Sequence, residues 1–406
     1  MLPNGWIKTL FANLIASGDI LGIQDGNHGN DHPKASDYIE NGIPFIMARD
    51  LKQGKIDFTT CCYISKKQAD ALRIGFAKPM DILLSHKGTI GEVAIVPNLY
   101  EYVMLTPQVT YYRLKHDGKL NSDYLFQYFL SNNYQSKFKK LASQSTRNYL
   151  GITAQKELDV ILPPLPEQKK IARILSTWDK AITTTEQLLA NSQQQKKALM
   201  QQLLTGKKRL LDKNGVQFSG EWKFLSFNET FKVTNKKSTQ VKSSDYLESG
   251  LIPIVDQGHK LIAGYCNNEE YYNDIPAIIF GDHTRCLKWV DFIFCLGADG
   301  TQVLDVKEKL DKKFSYYLLC NTDIPNLGYS RHMRELKQKE FKIPVELEEQ
   351  EKIAAVLSAA DQEITLLQGK LDALKQEKKA LMQQLLTGKR RVKVQSETSE
   401  EKCYAN

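Results

Sequence analysis

Apolar residues recur along this chain in two rhythms, and the change of rhythm divides it. From Ile171 one series runs Ile171, Trp178, Thr185, Ser192, Leu199, and a second runs Leu175, Ile182, Leu189, Lys196, Leu203. From Ile353 the same spacing returns as Ile353, Ala360, Leu367, Leu374, Leu381 and Leu357, Ile364, Leu371, Lys378, Leu385. A repeat of seven with two apolar positions marks a helix with one buried seam. Each helix spans about 39 residues, or roughly 58 Å at ~1.5 Å per residue. Neither is apolar enough to stand alone, so each needs a partner helix. Pro163-Pro164-Leu165-Pro166 precedes the first, with Pro166 and Glu167 suited to a first turn. Gly206 and Gly388 follow the last seam residues as C′ glycines, trailed by Lys207-Lys208-Arg209 and Lys389-Arg390-Arg391.

Elsewhere the pattern is that of strands and short helices. Ile43–Met47, Tyr63-Ile64, Asp81–Leu84, Val93–Val96 and Val109–Leu114 read as strands of a first globule. Asp123 to Leu141 reads as one helix, and its stripe of Tyr124, Leu125, Tyr128, Phe129, Tyr134 and Phe138 reads as core. In a second globule, Ile252–Val255, Ala277–Phe280 and Asp291–Cys295 read as strands and Phe314–Cys320 as a short helix. Trp6 to Leu10 has a loose echo in Trp222 to Leu225.

The chain is internally duplicated. Lys196–Lys207 and Lys378–Lys389 both read KKALMQQLLTGK, the second copy lying 182 residues on (378 less 196). The offset holds upstream, where Glu167-Gln168 matches Glu349-Gln350 and Asp179 matches Asp361. The globules, by contrast, share few identities. The expected organisation is globule one at 1–160, first spacer helix at 161–207, globule two at 208–345, second spacer helix at 346–391, and a polar, disordered tail at 392–406. Because a globule connects the helices at one end, they should pair antiparallel. The expected fold class is α+β: two mixed α/β globules separated by two long helices in an antiparallel coiled coil, with pseudo-twofold symmetry.

Composition narrows function. The 406 residues carry a formal charge of +8 and a pI near 8.9, a lean toward a polyanionic partner. Seven scattered cysteines suggest no disulfide framework and favour a reducing cytoplasm. Apolar runs such as Ile275–Phe280 fall far short of the ~20 residues a membrane span needs. Familiar catalytic signatures are missing: HExxH, a P-loop, a glycine-rich dinucleotide turn and a nucleophile elbow. His283, Cys286 and Cys295 fit no standard zinc spacing, so no metal is expected.

What remains are polar loops at strand ends, carrying residue types that meet base edges and phosphates. In globule one the candidates are Ser85, His86, Lys87, Gly88, Thr89, Gln108, Arg147, Asn148 and Tyr149. In globule two they are Gln257, Lys260, Asp282, His283, Thr284, Arg285, Asp299, Thr301, Ser330, Arg331 and His332. Any one of them can equally be a solvated turn residue; two differing globules on a matched scaffold strengthen the collective reading.

With these features together, the chain resembles specificity subunits of type I restriction–modification systems. The resemblance rests on the alternation of variable globule and repeated helix, the openings Leu162 to Ala172 and Ile343 to Ala354, and the closings Leu199–Gly206 and Leu381–Gly388. Lys87–Gly91 and Phe280–Arg285 also resemble segments of the family's target recognition domains. The second opening departs from the pattern: it lacks the double proline and is acidic from Glu346 to Glu351. The resemblance implies a non-catalytic subunit that binds double-stranded DNA and reads a split, asymmetric target, one half per globule, with the helices setting the gap. It implies docking of two methyltransferase subunits using S-adenosylmethionine and of restriction subunits using ATP and Mg2+, with no cofactor bound by this chain and no membrane. Two alternatives stay open on the residues alone: a free-standing two-headed DNA-binding regulator, and a nuclease or methyltransferase with an unrecognised site.

Overall fold

In the computed structural model, which describes residues 2–29, 31–143, 148–297, 299–328 and 330–394, the chain forms two compact units. One comprises Met1–Thr185 with Lys370–Asn406, the other Glu186–Gly369. The long helices, Leu165–Leu203 and Leu347–Leu385, each contribute to both units: the start of one and the end of the other meet in each. The polar tail from Ser396 lies outside the described residues.

In the first unit an antiparallel sheet orders Ile20–Asp25, Val109–Leu114, Ile82–Ser85 and Val93–Ile95. Its central strand is buried on both faces. Ile82 and Leu84 enter one core with Tyr112 and Val93, while Leu83 enters another with Val109, Tyr111 and Ala94. That is the two-residue alternation of a strand between two apolar layers. A second sheet orders Cys62–Ile64, Ile43–Ile46, Val103–Leu105 and Phe76–Ala77. A ribbon of Ile7–Leu10 and Asp159–Leu162 leads into the first long helix.

The expected helix over Asp123–Leu141 is two helices, Ser122–Leu130 and Asn132–Ala142. Ser131 between them is extended; its hydroxyl donates to the Tyr128 carbonyl at 2.7 Å and accepts from Tyr134 N–H at 3.4 Å. A serine hydroxyl that competes for backbone groups ends one helix and caps the next. The aromatic stripe is core: Tyr124, Phe129, Tyr134 and Phe138 are fully buried.

The second unit repeats the plan. Its antiparallel sheet orders Phe231–Val233, Thr301–Val306, Ala277–Gly281 and Leu287–Val290, beside a sheet of Gly264–Cys266, Ile252–Val255 and Cys295–Leu296. Trp222–Ser226 pairs with Glu340–Pro344, as Ile7–Leu10 pairs with Asp159–Leu162. The strand expected over Asp291–Cys295 is displaced. The hairpin partner of Ala277–Gly281 is Leu287–Val290, and Cys295–Leu296 joins the other sheet parallel to Ile252–Val255. A short apolar run shows that a segment is buried without showing which sheet takes it.

Each unit clasps the two helices antiparallel through the same contacts. In the first, Ile171, Ala172 and Leu175 share a core with Met382, Leu385 and Leu386; Lys378 pairs with Asp179 and Arg391 with Glu167. In the second, Ile353, Ala354 and Leu357 share a core with Leu203 and Leu204; Lys196 pairs with Asp361 and Arg209 with Glu349. Apart from Met382, every member of one set lies 182 residues from its counterpart (378 less 196, 361 less 179). The lysines that interrupt the apolar seam are therefore ion-pairing positions. Of the remaining seam residues, Ile171, Leu175, Leu189, Leu203, Ile353, Leu357, Leu371 and Leu385 are buried. Trp178, Ile182, Leu199, Ile364, Leu367, Leu374 and Leu381 are half-buried. Thr185 and Ser192 are buried too, the first donating to the Ala181 carbonyl and the second to Glu363.

Gly206 and Gly388 close the helices with φ of +73° and +75°. The positive φ favours glycine at both positions; at Gly388 space does too, since a Cβ there would lie 2.5 Å from the Pro3 ring, whereas one on Gly206 would press the Trp222 ring at 3.3 Å. Leu175→Ala and Leu357→Ala each remove a fully buried seam leucine. Each should cost its own unit about 2–5 kcal/mol in urea denaturation, the range for deeply buried leucines. No helix among the described residues is long and apolar enough to cross a membrane.

Candidate nucleic-acid interface

In both units the loop that follows the central strand of the antiparallel sheet is stitched to the segment before a short helix. In the first unit His86 N–H donates to the Gln108 carbonyl at 2.9 Å, and the His86 carbonyl accepts from Leu150 N–H at 3.0 Å. In the second, Asp282 N–H donates to the Gly300 carbonyl at 2.7 Å, and the Asp282 carbonyl accepts from His332 N–H at 2.8 Å. His86 and Asp282 are thus equivalent, as are Leu150 and His332. Two unlike side chains occupy one position of the shared frame.

His86 is fully buried, its Nδ1 lying 2.5 Å from Thr110 Oγ1 and its ring packing edge-on against Tyr149. Burial pushes its pKa down to about 4, the nearby Asp25 opposing and Lys87 adding to the effect. The imidazole is therefore neutral near pH 7. Because the folded value lies below the ordinary 6.5, the unfolded chain binds the extra proton between about pH 6.5 and 4. Stability from His86 is complete above pH 6.5 and is lost as pH falls through that window, by about 3 kcal/mol from a shift of this size. His86→Gln should flatten the acid limb of the first unit's stability profile, measured by denaturation at stepped pH.

Ser85 is also buried, its hydroxyl accepting from Glu92 N–H at 2.9 Å. Around this pair the exposed residues gather: Lys87, Gly88 and Thr89 at the turn, Gln108 opposite, and Asn148 and Tyr149 from the segment that bridges to Lys87. Arg147 lies outside the described residues. The buried polar Asn27 and Thr106 border the same end of the sheet, Asn27 N–H donating to the Leu105 carbonyl at 2.8 Å. Thr106 belongs to the polar segment Thr106-Pro107-Gln108, which sequence reasoning marks as a candidate; it missed Asn27, since an isolated Asn at a strand end carries no signal.

In the second unit Asp282 is buried, and its carboxylate accepts from Met333 N–H at 2.6 Å. The buried His332 Nδ1 lies 2.8 Å from the Asp282 carbonyl. Gln257 ties the loops together: its side chain accepts from His283 N–H at 3.1 Å and donates to the Asp299 carbonyl at 2.8 Å, and its carbonyl accepts from the Thr284 hydroxyl. His283 Nδ1 lies 3.2 Å from the Ser330 carbonyl. Thr301 is buried opposite Gly281 in the sheet, Asp299 is exposed beside it, and Arg331 is exposed next to Ser330. Arg285, with φ +60°, turns its guanidinium to the Ile324 carbonyl at 2.9 Å. Lys260 is exposed and joins through its carbonyl, which accepts from the buried Lys288. Apart from Arg147, the residues singled out in the sequence thus fall into one cluster per unit, with His86, Ser85, Asp282 and His332 as buried supports and the rest around them.

Cys286 faces His259 Nδ1 at 3.1 Å, whereas Cys295 is buried in the other sheet. Among the described residues no group of three or more His, Cys, Asp or Glu side chains is placed to hold a metal ion.

Two copies of one α+β frame, each ending in a polar loop cluster and clasped by the same helical joint, define a duplicated recognition scaffold. The model of the type I restriction modification DNA specificity domain matches residues 16–191 and 219–376, and the chain belongs to that family. It is the non-catalytic, DNA-binding specificity subunit of a type I system, with two recognition domains, and it works in a complex with other subunits. The chain is 28% identical over 381 residues to the putative type I restriction enzyme MjaX specificity subunit of Methanocaldococcus jannaschii, covering 87% of this chain and 88% of that one. It is 32% identical over 148 residues to the EcoR124I/EcoR124II specificity subunit of Escherichia coli, covering 34% of each. The fold is that of the S subunit from M. genitalium, with a TM-score of 0.62 at 14% identity over 95% of this chain and 98% of that one.

Proposed function

We propose that this subunit reads a split, asymmetric DNA sequence, one half-site by residues 1–160 and the other by residues 208–345. The segments 161–207 and 346–391 set the gap and offer docking surfaces to two methyltransferase subunits and to restriction subunits. Those partners would supply S-adenosylmethionine, ATP and Mg2+ chemistry in the cytoplasm.

The observation that carries this reading is the contrast between frame and loops. Sheet order repeats in both units and the helical joint repeats with an offset of 182 (378 less 196), whereas the loop clusters differ residue by residue. A repeated frame suits two identical partners; differing loops suit two different half-sites. The test is to map adenine methylation in cells that express the chain with a type I methyltransferase subunit. Two specific half-sites across an unspecified gap support the proposal. A contiguous motif, or no complex with the methyltransferase subunit, counts against it.

A further inference from the structure

We propose that a cleft in the second unit, against the Asp282 loop, seats the phosphodiester backbone of double-stranded DNA and sets the register in which the neighbouring loop meets the bases. The inference rests on reading the second unit as a DNA-recognition domain and names a part of it that contacts phosphate rather than sequence.

The cleft is lined by Gln302, Arg331, Arg334, Lys337 and Gln338, with Asp282 at one wall. The three cations recur every third residue, which brings them to one side of the short helix Met333–Lys337 and the residue preceding His332. All three are exposed. Among the described residues none forms an ion pair. The one carboxylate in the lining, Asp282, is buried and already accepts from Met333 N–H at 2.6 Å. Glu335, half-buried on the same helix, is not part of the lining. Three unpaired cations against one engaged anion leave a positive concavity, and two glutamines add neutral donors suited to phosphate oxygens.

The seat is continuous with the readout cluster because Asp282 belongs to both. Its backbone holds His332, its carboxylate holds Met333, and the next residues are His283 and Thr284. A backbone held in this cleft would be positioned by the same loop that carries the reading side chains. The first unit keeps only one of the three cations. Aligning its helix Ile152–Lys156 with Met333–Lys337, Lys156 corresponds to Lys337 and Thr153 to Arg334, and neither Tyr149 nor Leu150 supplies a cation in place of Arg331. One half-site would therefore receive more phosphate contacts here than the other.

Phosphate binding weakens with salt in proportion to the number of phosphates neutralised. The slope of log K against log salt falls by about 0.9 for each phosphate the protein no longer neutralises. The experiment titrates the full chain against its methylation-mapped target duplex and a mixed-sequence duplex at stepped salt. For Arg331→Gln/Arg334→Gln/Lys337→Gln the slope should fall by up to about 2.7 on both duplexes. The methylated motif should stay unchanged, and Arg331→Lys/Arg334→Lys should keep the wild-type slope. An unchanged slope in the triple variant, or an altered motif, overturns the proposal. His283→Ala/Gln257→Ala separates the two readings. If it alters the second half-site while the triple variant is silent, only the cleft proposal fails; if both are silent, the second unit's reading of DNA fails with it.

Discussion

Replacing Glu349 with alanine is expected to destabilise the second unit by about 3–5 kcal/mol, the range for breaking a buried ion pair from one side. Glu349 is fully buried, and its carboxylate takes two bonds from Arg209, at 2.5 and 2.8 Å. The Arg209 side chain is 18% exposed, donates to the Gly220 carbonyl at 3.0 Å and lies over the Trp222 ring. Without Glu349 the guanidinium stays enclosed with no counter-charge, and that stranded charge, more than the missing attraction, sets the cost. The counterpart pair behaves differently. Glu167 is buried, but Arg391 is 46% exposed and can turn to water when the carboxylate is removed. Glu167→Ala should therefore be the milder change, although the two positions share one place in the duplicated frame. Urea denaturation followed by hydrogen exchange resolved by unit measures both. The apolar double variant Arg209→Met/Glu349→Leu should recover most of the stability. Equal, small effects at Glu167 and Glu349 would show that the second pair is not sealed from solvent.

This asymmetry marks where sequence reading ends. The repeat of KKALMQQLLTGK, the heptads from Ile171 and Ile353 and the two closing glycines are local, periodic signals, and they place both long helices and their seam correctly. The seam lysines were legible only as interruptions; Asp361 and Asp179 as their partners depend on antiparallel pairing. The break at Ser131 was hidden because the aromatic spacing continues across it, and one hydroxyl decides between one helix and two. Asp291–Cys295 was misplaced because burial was visible and sheet membership was not. At the candidate interface the loops were legible from residue type, but not the division of labour within them. His86 and Asp282 look like readers in sequence and are buried supports in the fold, a distinction that needs the pairing of Gln108 with His86 and of Gly300 with Asp282. Arg334 and Lys337 were missed although their spacing from Arg331 was a readable signal. They sit on the helix behind the strand-end loops, where polar residue type alone does not mark a site.

Inserting one heptad into the middle of each long helix is expected to widen the gap in the recognised sequence and leave both half-sites intact. Seven residues preserve the seam, because the apolar series repeats every seven positions; four residues would turn it by about 40° and bury polar positions. Both helices must be extended, since the seam residues of one pack against those of the other in each unit. The added rise is about 10 Å at ~1.5 Å per residue, close to three base pairs at ~3.4 Å. Three base pairs also turn the duplex by roughly 100°, at about 10.5 per turn. The variant should therefore bind more weakly even as its half-sites keep their bases. The measurement is the spacing of methylated half-sites in cells, alongside affinity for duplexes of stepped gap length. A best-bound gap longer by two or three base pairs supports the helices as the ruler. An unchanged best gap would show that DNA bending or the loops, rather than the helices, determine the distance between half-sites.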